Sequence, residues 1–187
     1  MRRVEALKPR VSFADLQRMP DDGNRYELHD GELRVVPSPL PIHEIVKRRL
    51  LEMLIRYAAT TGGEAFDAPF DIVLSEHDVV QPDLLYFGPE AAARIPLREH
   101  VRFRPDLAIE VLSPSTARVD RGRKLDLFAR HLLPEYWIVD PDSRTIEAWV
   151  LRHDEYTDPV VWRTGRRAAF TQPGLVVDIE HVFAGLD

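Results

Sequence analysis

The feature that most constrains the fold is the segment RPDLAIEVLSPST, residues 104–116. Its apolar run is typical of a buried strand, yet it contains two acids, Asp106 and Glu110. An ionised carboxylate is costly to bury unless it is paired or bound to a cation. The two acids share one face of the strand but lie ~13 Å apart at ~3.3 Å per residue. They cannot bind one ion directly, so Glu110 needs a partner from elsewhere.

A second apolar run, VVQPDLLYF at residues 79–87, supplies a candidate partner. On a strand Asp83 would share a face with Gln81 and Leu85. If this strand neighbours the one that carries Glu110, the carboxylates of Asp83 and Glu110 converge on one point. The alternative is that Asp83, which follows a proline, simply caps a strand or turn.

Periodicity predicts the elements around these two strands. Apolar residues recur at three and four positions from Ile42 to Ala58 and predict a long helix that Gly62 and Gly63 end. A short helix is predicted at 12–20, a hairpin around 29–31, and a helix at 120–133. The runs at 66–75 and 79–87 are predicted to form an antiparallel pair. Further strands are predicted at residues 135–141, 145–151, 156–162 and 175–179.

Composition sets limits on the class of protein. With 187 residues and 44% hydrophobic content, the chain fits one compact α/β or α+β domain. The absence of cysteine excludes disulfides and thiolate metal sites. Any metal would be held by carboxylate, imidazole or carbonyl groups, which favours Mg²⁺ or Mn²⁺.

Charge and hydropathy bear on partners and location. The net charge of -6 gives no global attraction to nucleic acid, so such a partner would need a local basic patch. The segment ARVDRGRKLDLFAR, residues 117–130, is one candidate, and a solvated helix face is the alternative.

The N-terminus lacks the apolar stretch of a signal peptide, and no run approaches ~20 apolar residues. We therefore expect a cytoplasmic protein without a membrane partner. The tryptophans of the C-terminal strands favour core or subunit-interface positions, and we expect a homodimer.

Several motifs, in their order along the chain, resemble one nuclease family. QPDLLYF, IEVLSPST and DRGRKLDLFARHLLPEYWIVDP are closely similar to the Uma-type family of endonucleases, a branch of the PD-(D/E)XK nuclease superfamily. RYELHDGEL and PSPLPIHEIVKRRL extend the resemblance over roughly residues 12–184. It implies a restriction-endonuclease-like core of the α/β (α+β) class, with a mixed central β-sheet flanked by helices. We expect a single domain over 1–187, with the core at about 12–141 and a C-terminal β extension at about 142–187.

The resemblance also assigns residues. Pro82-Asp83 matches the PD element, and Glu110 matches the acidic residue of (D/E)XK. Leu112 stands where that motif has lysine, and Lys124 on the following helix matches the relocated lysine of the family. Glu27 corresponds to an additional carboxylate near the N-terminus of such cores.

The resemblance implies a DNA-hydrolysing enzyme that depends on Mg²⁺ or Mn²⁺. Asp83 and Glu110, with the carbonyl of Val111, would hold the metal. Lys124 would orient the attacking water or stabilise the transition state, and Glu27 would complete the metal shell or steer a second ion.

Four further side chains are predicted to contact substrate. His43, near the start of the long helix, would contact phosphate or shuttle a proton. Gln81 would hydrogen-bond substrate or water. Arg121 and Arg123, from the basic segment, would track the phosphate backbone.

Structural alternatives exist for several of these residues. Lys124 could be a surface lysine or an i,i+4 partner of Asp120. Glu27 could pair with Arg25 or Arg34 across the hairpin. Asp106 is assigned either to a strand-start role or to indirect support of the site residues, with Arg102 or Arg104 as its partner.

Two other functions remain open from the sequence. One is a catalytically degenerate protein of the same fold that binds nucleic acid or a protein partner without cleavage. The other is hydrolysis of a different phosphoester at the same carboxylate site.

Overall fold

The structure is a computed structural model that describes residues 9–164, 167–169, 172 and 174–186, with the backbone alone at 167–169. The helices are α1 (Phe13–Leu16), α2 (Pro41–Thr61), α3 (Pro89–Ala92), α4 (Ala117–Val119), α5 (Leu125–Arg130) and α6 (Ile179–Phe183). A π-helical turn, Asp120–Lys124, joins α4 to α5. The strands are β1 (Arg25–His29), β2 (Glu32–Val36), β3 (Glu64–Asp67), β4 (Ile72–Ser75), β5 (Asp78–Val80), β6 (Leu84–Phe87), β7 (Leu107–Val111), β8 (Glu135–Asp140), β9 (Thr145–Arg152), β10 (Glu155–Tyr156), β11 (Val160–Arg163), β12 (Arg167–Ala169) and β13 (Val176–Asp178).

The larger sheet has β7 in its interior, as the apolar run predicted. Its strand order is β10-β9-β8-β7-β6-β3, and β11 pairs with β9. Strand β7 is antiparallel to β6 and parallel to β8, so the sheet is mixed. All five residues of β7 are buried because apolar side chains cover both faces.

The two faces of β7 meet different layers. Leu107, Ile109 and Val111 pack into the core formed with α2 and α6. Ala108 and Leu112 pack into the core formed with α5. Since residues alternate along a strand, Glu110 lies on the same face as Ala108 and Leu112. Glu110 therefore faces the layer that contains the π-helical turn.

A smaller sheet, in the order β2-β1-β5-β4, carries the predicted hairpin. Asp30 and Gly31 form its turn with φ of 57° and 75°, the conformation that suits a tight two-residue hairpin. Strand β5 ends at Val80, and β6 of the larger sheet begins at Leu84. The short connection 81–83 thus links the two sheets and places Asp83 at their junction.

The predicted fold class is confirmed: a mixed sheet flanked by helices. Two details differ. The runs at 66–75 and 79–87 each divide, so that β4 pairs with β5 as predicted, while β6 pairs with β3 and β7. The run at 175–179 is a short strand followed by α6 rather than a strand throughout.

Residues 1–8, part of the predicted single domain, lie outside the described residues. None of the described helices combines the length and apolarity needed to cross a membrane.

Candidate active site

Lys124 lies at the centre of a buried group of carboxylates. Its Nζ donates a hydrogen bond to Glu110 Oε1 at 2.7 Å and forms an ion pair with Glu27 Oε1 at 3.0 Å. Asp120 Oδ1 lies 3.8 Å from the same nitrogen. These four residues retain between 2% and 6% of their exposure. The predicted convergence of Glu27, Glu110 and Lys124 is therefore present in the structure.

Three separate elements deliver these side chains. Glu27 comes from β1, Glu110 from β7, and Lys124 with Asp120 from the π-helical turn. Single π-helical turns occur frequently at functional sites. Here both the first and the last residue of the turn are buried against Glu110.

Asp83 approaches the same point from the end of the connection between the sheets. Strand β6 pairs Leu84 with Ile109 in antiparallel register, so the residue before β6 lies next to Glu110. Asp83 Oδ2 accepts a hydrogen bond from the Val111 N–H at 2.8 Å. The inference that Asp83 and Glu110 belong to neighbouring strands of one sheet thus agrees with the structure, although Asp83 precedes its strand.

Electrostatics within the group fix the charge on Lys124. Burial lowers its pKa, but Glu110, Glu27 and Asp120 raise the pKa further, to well above the ordinary value. Lys124 is therefore an ammonium at neutral pH and a poor candidate for a general base.

The pKa values of the Glu27 and Glu110 carboxyl groups shift in opposite directions. Burial raises the pKa of Glu27, yet Lys124, His29 and the Gln81 amide outweigh it and bring the pKa to about 2. For Glu110, burial and the like charges of neighbouring acids outweigh Lys124, and the pKa is raised well above its ordinary value. A proton therefore associates with Glu110 more readily than with Glu27. Crowded acids of this kind accept a cation readily, since it relieves their mutual repulsion.

His43 lies on the first turn of α2 and contacts Asp83. Its Nε2 is 3.0 Å from Asp83 Oδ2, and its Nδ1 is 3.3 Å from Glu44 Oε1. Burial lowers the pKa of His43, but the two carboxylates outweigh burial and raise it above the ordinary value. His43 thus fixes one oxygen of Asp83; its predicted role towards phosphate remains a prediction.

Gln81 supports the site through its backbone. Its N–H donates to Glu27 Oε1 at 2.8 Å. Its side-chain Nε2 donates to Asp71 Oδ1 at 2.7 Å. Contact of this side chain with substrate remains a prediction.

Arg121 and Arg123 do not line the cavity that contains the carboxylates. Arg121 donates to Glu147 at 2.7 Å and to Asp140 at 3.1 Å. Arg123 donates to Glu32 and to the His29 carbonyl, the latter at 2.9 Å. Their guanidinium groups join the π-helical turn to β9 and to the β1-β2 hairpin. Their predicted role in substrate binding gains no support from this placement.

Asp106 is separate from the site, as its spacing from Glu110 indicated. Its Oδ2 accepts a hydrogen bond from the Gly88 N–H at 2.7 Å, and Arg104 lies 3.8 Å from Oδ1. Arg102 pairs instead with Glu76. Asp106 therefore anchors the turn between β6 and α3.

Sequence reasoning missed two buried members of the site. Asp120 was considered only as a helical partner of Lys124, although a spacing of four residues placed both on one helix face. His29 is fully buried, and its Nε2 lies 3.0 Å from Glu27 Oε2. Its position two residues after Glu27 on β1 was the available signal, because such residues share a face of the strand.

A cavity of about 380 Å³ opens over this group. Asp83, Glu110 and Val111 line it, together with parts of the hairpin and of the segment after β7. Within the described residues, neither Asp83 Oδ1 nor Glu110 Oε2 has a hydrogen-bond partner. No described group of three or more His, Asp or Glu side chains is arranged to hold a metal ion. Two carboxylates nevertheless fit Mg²⁺, which retains several waters and takes further oxygens from substrate phosphate.

Comparison with known proteins identifies a sequence family and a protein of similar fold. The sequence model of the Uma2 family, described as "Putative restriction endonuclease", matches residues 13–186. A crystal structure described as "a putative nuclease belonging to DUF820", from Anabaena variabilis ATCC 29413, superposes with a TM-score of 0.79 at 18% sequence identity. The match covers 95% of this chain and 99% of that one, and it shows a shared fold. No curated protein matches the chain.

Proposed function

The chain belongs to the Uma2 family, and on that premise we propose that it is a metal-dependent nuclease that hydrolyses phosphodiester bonds of DNA. One observation carries the proposal. The Lys124 ammonium, Glu27 and Glu110 meet beside Asp83 at the floor of one cavity, with an open oxygen on Asp83 and on Glu110. This is the set of groups needed to hold a hard cation and to stabilise charge on a phosphate.

The charges of the cavity lining favour a bound cation. Five carboxylates line it, against four lysine and arginine side chains and His43, whose pKa is raised. The lining as a whole therefore carries little net charge, but a phosphodiester that approached the neighbouring acids Asp83 and Glu110 directly would meet like charge. A divalent ion between Asp83 and Glu110 would reverse the local sign and attract the phosphate.

Each residue has a defined part in the proposed reaction. Asp83 and Glu110, with the carbonyl of Val111, would hold Mg²⁺ or Mn²⁺. When bound, the metal lowers the pKa of a water ligand and polarises the phosphoryl oxygen. Lys124, kept protonated by its acidic neighbours, stabilises the negative charge that develops on the phosphate.

The remaining residues position this set. Glu27 and Glu110 both bind the Lys124 ammonium, and together they fix its direction. His43 holds Asp83 Oδ2 and leaves Oδ1 for the metal. His29 holds the second oxygen of Glu27.

A nucleic-acid-binding protein without cleavage activity is the second candidate. The observation that favours it is the absence, among described residues, of a group of three metal-binding side chains. In this version Lys124 serves as the permanent counter-ion of the acids, and no metal is needed.

Cleavage assays separate the two. Purified protein is incubated with supercoiled plasmid, linear duplex and single-stranded DNA in Mg²⁺, Mn²⁺ or EDTA. If the protein is a nuclease, we expect metal-dependent cleavage that Asp83→Asn and Glu110→Gln abolish. Asp106→Asn is the matched control, because it removes a carboxylate four residues from Glu110 that contacts Gly88 outside the site. Binding that is independent of metal, with no cleavage by any of these proteins, supports the second candidate.

A further inference from the structure

Two arginines on the β1-β2 hairpin share the face that carries Glu27. Glu27 pairs with Arg34, and Arg25 pairs with Val36. Opposed residues of an antiparallel pair project from the same face, as do residues two apart on one strand. Arg25, Glu27 and Arg34 therefore all project towards the site, and all three line its cavity.

These arginines differ from the other cations of the cavity because acids do not neutralise them fully. Lys124 is held by Glu110 and Glu27, and Lys47 lies 3.0 Å from Glu44. The side chain of Arg25, by contrast, forms no hydrogen bond or ion pair with another described residue.

Arg34 is also only partly satisfied. Its Nη2 lies 3.4 Å from Glu32 Oε1, while Glu32 also binds Arg123. Its Nε is buried and has no hydrogen-bond partner among the described residues. Its Nη1 forms no hydrogen bond or ion pair with a described residue, and the side chain is 32% exposed, so a ligand oxygen can reach the end of the guanidinium group.

The size of the cavity limits what these side chains contact. About 380 Å³ lies at the low end of the range for a pocket that takes one small ligand. A nucleic-acid strand that reaches Glu110 would therefore place one nucleotide unit in the cavity. The phosphate next to that unit would lie against the side of the cavity that Arg25 and Arg34 line. Arginine presents paired donors that match the oxygens of a phosphate.

We propose that Arg25 and Arg34 form a phosphate-binding wall that holds the backbone phosphate next to the scissile one. This assignment rests on the proposed function, since it names the group that positions the substrate strand. It also moves the basic surface for the strand from residues 117–130 to the hairpin.

The test measures strand binding rather than cleavage. A short fluorescein-labelled single-stranded DNA is titrated with protein at several salt concentrations. Ca²⁺ replaces Mg²⁺ as a hard cation with oxygen ligands, and a denaturing gel verifies that the probe stays intact. The proteins are wild type, Arg25→Gln, Arg34→Gln and the corresponding lysine variants. Arg56→Gln is the matched control, because Arg56 is an exposed arginine on α2 that does not line this cavity.

We expect each glutamine variant to weaken binding about tenfold. The slope of log K against log[salt] should fall in magnitude by about 0.7 per lost phosphate contact. The lysine variants should restore the slope because they restore the charge, and Arg56→Gln should match wild type. A merely structural role for the arginines would not move the slope.

Unchanged slopes in both glutamine variants would overturn the assignment, and plasmid cleavage by the same preparations would then leave the proposed nuclease intact. Reduced slopes without cleavage in Mg²⁺ would support the phosphate wall and count against the nuclease. Absence of strand binding by the wild type would overturn the assignment.

Discussion

Lys124 Nζ lies 2.7 Å from Glu110 Oε1, although the two residues are 14 positions apart in the chain. The contiguous motif places a lysine two residues after the strand acid, on the same face of the strand. In this chain that residue is Leu112, which packs in the core. The π-helical turn supplies the ammonium from another element. The site thus keeps a lysine beside its strand glutamate without the contiguous motif.

Removal of the Lys124 charge should destabilise the protein. Lys124→Met leaves Glu27, Glu110 and Asp120 buried without their shared counter-ion, at a cost of about 3 kcal/mol at neutral pH. The loss should shrink as pH falls, because the unpaired acids take up protons and become neutral. Urea unfolding at several pH values measures this; a loss that grows towards acid pH would contradict the assigned contacts.

Glu27 should contribute stability with a defined pH window. Its pKa falls from 4.5 to about 2 on folding, so its contribution is complete above 4.5 and is lost as pH falls towards 2. We therefore expect Glu27→Gln to lower the free energy of unfolding at neutral pH. Urea unfolding of wild type and Glu27→Gln should give a difference in the free energy of unfolding that is smaller near pH 3 than at neutral pH. A difference that does not change with pH would contradict a Glu27 carboxylate that is ionised in the folded state.

Metal binding should be detectable by a measurement that does not depend on cleavage. Mg²⁺ or Mn²⁺ that binds only the folded state at ten times its Kd stabilises it by about 1.4 kcal/mol. Thermal unfolding should show this for wild type and for Asp106→Asn. Asp83→Asn and Glu110→Gln should show little shift, and equal shifts in all four proteins would place the metal elsewhere.

Arg121 and Arg123 should have little influence on strand binding. Both guanidiniums are held by acids outside the cavity. The double variant Arg121→Gln/Arg123→Gln should bind the labelled strand with the wild-type salt slope. Its stability should fall by roughly 1 kcal/mol, the order expected for partly exposed ion pairs. A reduced slope would restore the basic segment 117–130 as the binding surface.

Much of this fold could be predicted from local pattern. The apolar run around Glu110, the Asp30-Gly31 turn and the helical spacing after Ile42 each express a local physical constraint. Local pattern could not predict that the connection between the two sheets ends at Asp83. Whether the chain crosses between two sheets at 81–83 depends on which strands pair at long range.

The site could be predicted in part. Resemblance to a family singled out Glu27, Asp83, Glu110 and Lys124, and the structure brings them together. The roles of the arginines were not accessible, because pairing across the fold decides whether a cation is available. Arg121 and Arg123 find acids on β9 and β2, whereas Arg25 finds none among the described residues. The sequence alone shows equal charges in all three.

We propose that Asp83, Glu110 and Lys124 form a metal-dependent phosphodiesterase site. The most direct measurement compares initial rates of supercoiled-plasmid cleavage in Mg²⁺ or Mn²⁺ by wild type, Glu110→Gln and Asp106→Asn. We expect cleavage that EDTA stops, a loss of rate of about a hundredfold or more in Glu110→Gln, and a wild-type rate in Asp106→Asn. Equal rates for wild type and Glu110→Gln would contradict it.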